Sequence, residues 1–241
     1  MPPCLTNGCT VSAHPPGLTL VWTDIPEESE SGFNDWYNRE HMRDRVLGVP
    51  GFISGRRFVA FEGTPKYLAV YRTASIDVFR SEPYLALQRL PDDHSRRYIP
   101  LFRGTIKGFC RITAEYGEGE GTRLALVMLT LPGGDRTALR LSAAADILSG
   151  LVACRDVVAA RLAECDRDVV QTVTTQFTRK GDRFVDCVLM IEAISEQGLR
   201  TALCGLNARA LGACGASVDG KPALFNQLLG FHAPARYADG R

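Results

Sequence analysis

Several kinds of signal are missing from this 241-residue chain, and each absence narrows what it can do. No apolar run approaches the roughly 18 residues that a membrane-spanning helix needs. The opening Met1-Pro2-Pro3-Cys4 is not the basic and then apolar pattern of a leader. The expected location is therefore the cytoplasm, with no membrane as a partner. Charge of one sign is missing too: 28 Lys and Arg against 27 Asp and Glu leave a formal net charge of +1. Such a balance offers no field to hold a polyanion, so nucleic acid is not an expected partner. Glycine-rich dinucleotide and phosphate loops, G-x-S-x-G and H-E-x-x-H are all absent, which disfavours nucleotide-dependent chemistry.

Cysteine is present but unpatterned. Cys4 and Cys9 lie near the start, and Cys110, Cys154, Cys165, Cys187, Cys204 and Cys214 are scattered, with no Cys-x-x-Cys and no histidine at ligand spacing. No metal site is expected from them. Most of them read as small, reduced, buried apolar residues. A redox-active thiol is the rival reading, and no basic or helix-N-terminal setting is evident in the sequence to activate one.

What is present is a weak internal repeat. Leu18-Thr19-Leu20-Val21-Trp22-Thr23-Asp24-Ile25-Pro26 and Leu124-Ala125-Leu126-Val127-Met128-Leu129-Thr130-Leu131-Pro132 share L-x-L-V-x-x-x-x-P. Tyr67 to Ser75 likewise resembles Cys187 to Ser195, each followed by a helical pattern, Ile76 to Leu90 and Glu196 to Ala213. Each half then closes on a strand carrying Gly-Phe, at Gly108-Phe109 and Gly230-Phe231. The order β-α-β-β-α-β fits twice, which predicts an α+β fold of two tandem ferredoxin-like units. In the first, strands are expected near 18–24, 54–62 and 67–73, with a helix from about Asn34 to Leu47. In the second, a helix lies within 137–152 and a strand near 157–164, while 166–181 reads as an inserted hairpin because Val169 to Phe177 is rich in Val and Thr. Alternating Gly and Glu at 117–121 reads as a linker, giving units at 17–116 and 122–234 and tails at 1–16 and 235–241.

The chemistry concentrates in Phe33-Asn34-Asp35-Trp36-Tyr37-Asn38-Arg39-Glu40-His41. At 3.6 residues per turn, Tyr37 and His41 share one helical face, with Trp36 and Glu40 as a second pair beside them. His41 is the candidate general acid or base, with Glu40 to tune or orient it; its alternative is a helix histidine bonded to the Val49-Pro50-Gly51 loop. Tyr37 is a candidate donor to an oxyanion, and Trp36 a candidate substrate wall. Arg56 and Arg57 alternate across a strand, so only one faces a given side. A buried arginine there is expected to anchor substrate or pair with Glu62 or Glu40. The cluster Asp92-Asp93-His94-Ser95-Arg96-Arg97-Tyr98 offers His94 and Arg97 to a bound molecule if it folds over a cleft, or else a short helix capped by Asp92 or Asp93. His232 reads as a strand-end histidine, and His14 is given no role.

These residues resemble the EthD-like family of the dimeric α/β-barrel superfamily: W-Y-x-x-E-H at Trp36 to His41, V-P-G-F at Val49 to Phe52, R-R-F at Arg56 to Phe58, and Tyr67-Leu68-Ala69-Val70-Tyr71. The resemblance covers residues 18–113, and the second half matches in layout alone. It implies two units packed sheet to sheet as an intrachain barrel, a pseudo-dimer that leaves room for further homodimerisation. Only the first half carries the polar motif, so the second is expected to act as scaffold. Relatives in this superfamily include cofactor-free monooxygenases, muconolactone isomerase-like enzymes, haem-dependent chlorite dismutases and dye-decolourising peroxidases.

The reading is a cofactor-independent acid–base enzyme, a lyase, isomerase or hydrolase, acting on a small aromatic or ring-derived catabolite. Its alternatives are a cofactor-free monooxygenase, a haem enzyme with a histidine as axial ligand and a non-catalytic small-ligand binder. In structural terms it expects the halves to superpose about a pseudo-twofold axis, with the His41 ring at a cavity between the sheets. Topologically unrelated halves, or a His41 ring on the outer surface remote from any such cavity, would contradict it.

Overall fold

The computed structural model describes residues 15–131, 137–177, 181–206, 211–212 and 215–234. Strand β1 (Gly17–Asp24) leads into helix α1 (Glu27–Trp36), a π-helical segment (Tyr37–His41) and helix α2 (Met42–Val46). Strands β2 (Phe52–Glu62) and β3 (Tyr67–Thr73) follow, then a 3-10 segment (Ile76–Arg80), helices α3 (Glu82–Arg89) and α4 (Asp93–Tyr98), and strand β4 (Arg103–Tyr116). The second half runs β5 (Arg123–Thr130), α5 (Thr137–Val152), β6 (Val157–Cys165), α6 (Arg167–Phe177), β7 (Arg183–Phe184), β8 (Cys187–Ala193), α7 (Glu196–Gly205), β9 (Ser217–Val218) and β10 (Ala223–His232). No helix among the described residues is long and apolar enough to cross a membrane.

Each half forms an antiparallel four-stranded sheet of the same order, β4-β1-β3-β2 and β6-β8-β5-β10. The two sheets join edge to edge. Strand β2 pairs with β10 from Ser54↔His232 to Glu62↔Leu224, and β4 pairs with β6 from Cys110↔Cys165 to Tyr116↔Ala160. Because β1 also pairs with β4, eight strands close into a barrel with no free edge at either seam. The strands are nearly continuous in apolar residues because both faces are covered. In β1, Leu18, Leu20 and Trp22 point into the barrel, where they meet Phe58, Leu68, Leu126, Met190 and Phe225. The outer face of the first sheet packs Tyr67, Ala69, Tyr71 and Phe109 against Phe33, Trp36, Tyr37 and Tyr84 of the helices.

One end of the barrel interior is filled by charge. Glu192 accepts from Arg56 Nη1, from Arg161 Nη1 and from the Gly121 amide at 2.9 Å. Arg161 Nε also donates to Glu115, which takes Arg72 Nη2 at 3.0 Å. Arg56 Nη2 further donates to the Gly121 carbonyl and to Gln227 Oε1. At this end of the interior, paired side chains stand where an intersheet cavity was expected.

Three local expectations differ from the structure. Helix α1 begins at Glu27 instead of Asn34, because three acidic residues, Glu27, Glu28 and Glu30, sit in its first turn and complement the helix dipole. Residues 167–177 form a helix and not a hairpin strand. Asp166 accepts from the Val169 and Asp168 amides as its cap, and Val169 and Val173, four apart, bury one face, which outweighs the β preference of Val and Thr. Ile76 to Leu90 is split at Ser81, whose extended backbone, φ −66° and ψ 145°, ends the 3-10 segment and starts α3. At the chain start, the Pro15 and Pro16 carbonyls accept from the Ile76 and Ile112 amides, so the strand system already anchors these two residues. His14 lies outside the described residues.

Removing one partner of a buried ion pair strands the other's charge. Glu192→Ala is accordingly expected to lower unfolding free energy by about 3–5 kcal/mol, against about 0–1 kcal/mol for Arg39→Ala in the exposed Arg39–Asp35 pair. Denaturant unfolding of both variants checks this, and equal losses would contradict the keystone role of Glu192.

Candidate active site

The cavity of interest, about 370 Å³, lies outside the barrel, between the outer face of the first sheet and the helices that cover it. Thr19, Val21, Tyr71 and Phe109 form its floor. Tyr37, His41 and Arg45 form one wall, Tyr84, Gln88 and Arg96 another, and Val173, Asp182 and Phe184 of the second half close it.

The first wall depends on the π-helical turn. There the Met42 amide donates to the Tyr37 carbonyl five residues back, and this wider turn gathers three rings. The His41 ring lies 4.4 Å from the Trp36 ring and 4.5 Å from that of Tyr37, centroid to centroid. Short π segments of this kind occur often at functional sites. Behind Tyr37 the Arg57 guanidinium stacks at 4.4 Å and donates to Asn38 Oδ1 at 2.6 Å and Asn34 Oδ1 at 2.8 Å. Gly32 lets α4 close over this helix, since a side chain there would collide with the Tyr98 hydroxyl.

Electrostatically the wall is cationic. Arg45 lines the cavity, and its Nη1 donates to the His41 carbonyl at 3.1 Å. Burial, reinforced by the Arg45 and Arg57 charges, holds the His41 pKa well below the usual 6.5, so the imidazole is neutral at pH 7. Its Nδ1 is buried without a hydrogen-bond partner. Burial raises the Tyr71 phenol well above its ordinary value, and the neighbouring Tyr37 adds to this. Asp182 pairs with Lys107 at 2.6 Å across the cavity floor.

No family model matches the chain, and no curated protein matches it. Solved structures do. An anthrone oxidase-like protein superposes with a TM-score of 0.63 at 12% identity, over 95% of this chain and 97% of its own. A provisionally assigned monooxygenase from Fusobacterium nucleatum subsp. nucleatum ATCC 25586 gives 0.58 at 9% identity, over 92% and 96%. A provisionally assigned chlorite dismutase gives 0.55 at 10% identity, over 90% and 96%. The chain has the dimeric α/β-barrel fold. At these identities the likeness is one of fold.

Within the barrel protein the sequence-predicted residues separate. His41 and Tyr37 meet at the cavity, though on the helix side of the sheet and not between the sheets. Trp36 is buried behind His41, stacked on Tyr98 at 5.4 Å, and does not line the cavity. Glu40 is a correction: it points outward and accepts from His94 Nδ1 at 2.7 Å, both side chains being about half exposed. It cannot orient His41, because the turn that brings Tyr37 and His41 inward sends residue 40 to the opposite side. His94, its pKa raised by the Glu40 carboxylate, is likewise off the wall.

Arg97 is exposed over the Tyr98 ring at 5.2 Å, while its neighbour Arg96 reaches the mouth. Both arginines of the expected either-or pair are buried: Arg56 faces the barrel interior and Arg57 the helices. Arg57 pairs with asparagines rather than with Glu62 or Glu40. Asp92 caps α4 through the Ser95 amide at 2.7 Å, the capping alternative. Arg45 went unnoticed, although its place one turn after His41 was a usable signal. Val173 was beyond sequence reach because 166–181 read as a hairpin, and Asp182 and Phe184 because only the fold brings the second half to this cavity.

Keeping His41 uncharged makes stability depend on pH. Its folded pKa lies below the unfolded value of 6.5, so below that pH the unfolded chain binds a proton that the folded chain refuses. Stability present above pH 6.5 is lost as pH falls towards the folded pKa. Denaturant titrations on either side of pH 6.5 should detect this loss, and His41→Phe, which keeps a flat ring between Trp36 and Tyr37, should make it smaller. An unchanged pH slope in that variant would contradict the buried neutral imidazole.

Proposed function

We propose that this chain is an acid–base enzyme of the EthD-like branch, acting without a cofactor on a small aromatic or ring-derived compound held in the helix-side cavity. The observation that carries the reading is a neutral, buried histidine on the wall of an aromatic pocket, beside an arginine with no ion-pair partner among the described residues. A substrate ring packs against Tyr37, Tyr84 and Phe109. His41 accepts a proton from a weakly acidic O–H or C–H of the substrate, and Arg45 stabilises the phenolate or enolate that forms. Burial keeps water from competing for either charge. Returning the proton to another atom gives an isomerase, and expelling a leaving group gives a lyase. Aromatic catabolism and a cytoplasmic location belong to this same reading.

A second reading, a cofactor-free monooxygenase, is favoured by the names of the anthrone oxidase-like and monooxygenase neighbours. It begins with the same deprotonation, after which oxygen meets the electron-rich anion. Haem fits the residues poorly. A porphyrin with its two propionates is larger than a cavity of about 370 Å³, so no step is routed through it, and a Soret band in the purified protein would overturn that judgement.

The test is a panel of hydroxylated one- to three-ring aromatics, anthrone included, followed by absorbance and by an oxygen electrode. Oxygen uptake with turnover selects the monooxygenase; turnover without it selects the isomerase or lyase; binding without turnover makes the protein a carrier. His41→Ala should lower kcat/KM by roughly a hundred- to ten-thousand-fold while the fold persists by thermal melting. His94→Ala should leave turnover unchanged. Because protonation of His41 removes the base, the acidic limb of the wild-type profile is expected below pH 6.5, and a limb at or above that value would exclude His41 as the base.

A further inference from the structure

Among groups that this function leaves unused, two cysteines stand out at the β4–β6 seam. Cys110 and Cys165 are direct partners in the antiparallel register. The Cys165 amide turns away to the Asp186 carbonyl, and the next amide, Asp166, donates to the Phe109 carbonyl at 2.7 Å. The ladder's hydrogen bonds therefore flank the cysteines instead of joining them. At such a pair the Cα atoms are about 4.5 Å apart with both side chains on one face, within the roughly 4.4–6.8 Å that a disulfide spans. Both thiols belong to the barrel-interior cluster. Cys110 is fully buried and Cys165 partly exposed.

We propose that Cys110 and Cys165 form a reversible redox pair that closes to a disulfide on reaction with hydrogen peroxide. The Cys165 thiolate attacks one peroxide oxygen, breaking the O–O bond; hydroxide leaves and is protonated to water, and Cys165 becomes a sulfenic acid. The Cys110 sulfur then attacks the Cys165 sulfur, the S–O bond breaks, and a second water departs with the Cys110 proton. Two thiols and one peroxide give one disulfide and two waters. The assignment of roles follows exposure, since only Cys165 is open to an oxidant. The Cys110 thiol donates to the Cys165 sulfur, and this bond, with the nearby Arg167 charge, lowers the Cys165 pKa despite its burial. Cys187, whose charge reaches Cys110, packs on the outer face of the second sheet, whereas Cys165 shares the interior face with Cys110.

The pair has a position of consequence. Asp166, the residue after Cys165, caps α6 and binds Arg111 at 2.7 Å, and α6 supplies the Val173 wall of the cavity. Oxidation would tie the seam at the root of that helix.

Peptide mass mapping of the full-length protein, before and after hydrogen peroxide and without reducing agent, tests the proposal. Trypsin separates the two sites into Gly-Phe-Cys-Arg, ending at Arg111, and Leu-Ala-Glu-Cys-Asp-Arg, ending at Arg167. The expected result is these two peptides joined, lighter by two hydrogens, and released by dithiothreitol. The Cys187→Ser variant should behave in the same way, and Cys110→Ala should instead drive Cys165 on to the sulfinic acid. Recovery of both peptides unmodified while Cys204 is oxidised, a Cys165 link to Cys187, or sulfinic Cys165 beside a free Cys110 in the wild type would each overturn it. The wild-type map decides the matter even if a variant fails to fold.

Discussion

The carboxylate of Glu192 takes one guanidinium from each half of the chain, Arg56 from the first and Arg161 from the second, inside a space otherwise filled with leucine, methionine and aromatic rings. Buried charge is tolerated only when its partners are complete, and here they are complete only when both sheets are present and in register. The Gly121 amide and carbonyl bring the connecting segment into the same arrangement. Barrel closure, strand register and the path between the halves are thus linked at one point. The consequence for function is spatial: side chains and their ion pairs occupy the barrel interior around Glu192. The cavity of about 370 Å³ lies instead where helices arch over the outer face of the first sheet.

That location accounts for the character of the cavity. Its floor is the pleated outer face of a sheet, and its wall is a helix loosened by one π turn, so rings from both converge. Arg57 supports this wall from behind through two neutral asparagines and the faces of Phe33, Tyr37 and Tyr67. Its charge, with that of Arg45, penalises a protonated His41. Two cations that touch the histidine's surroundings from different elements keep it uncharged more dependably than burial alone.

Much of this architecture was legible because strand patterns and the L-x-L-V repeat report local alternation, which is set by residues close in sequence. Tyr37 and His41 were legible for the same reason, being one turn apart. What escaped depended on partners distant in the chain. Glu40 was read beside His41, and only the fold brings His94 to it, 54 positions away. A buried arginine at 56 or 57 is expected to anchor substrate or pair with a carboxylate, the usual solution for buried charge; the asparagines that hold Arg57 lie on a helical stretch whose start is read seven residues too late. Val169 to Phe177 misled through β-branched composition, since its amphipathic face has meaning only against the first-half helices.

The cavity's closing wall also has a place in time. Val173, Asp182 and Phe184 come more than seventy residues after Phe102, another residue that lines the cavity. As the chain leaves the ribosome, His41 and Arg45 emerge early, on helical turns that cover a sheet whose outer strands β2 and β4 still await β10 and β6. A nascent chain therefore carries His41 for a long interval without the enclosure that shields it from water. The order of synthesis makes enclosure one of the last properties the protein acquires, and no fragment that stops before α6 can have it.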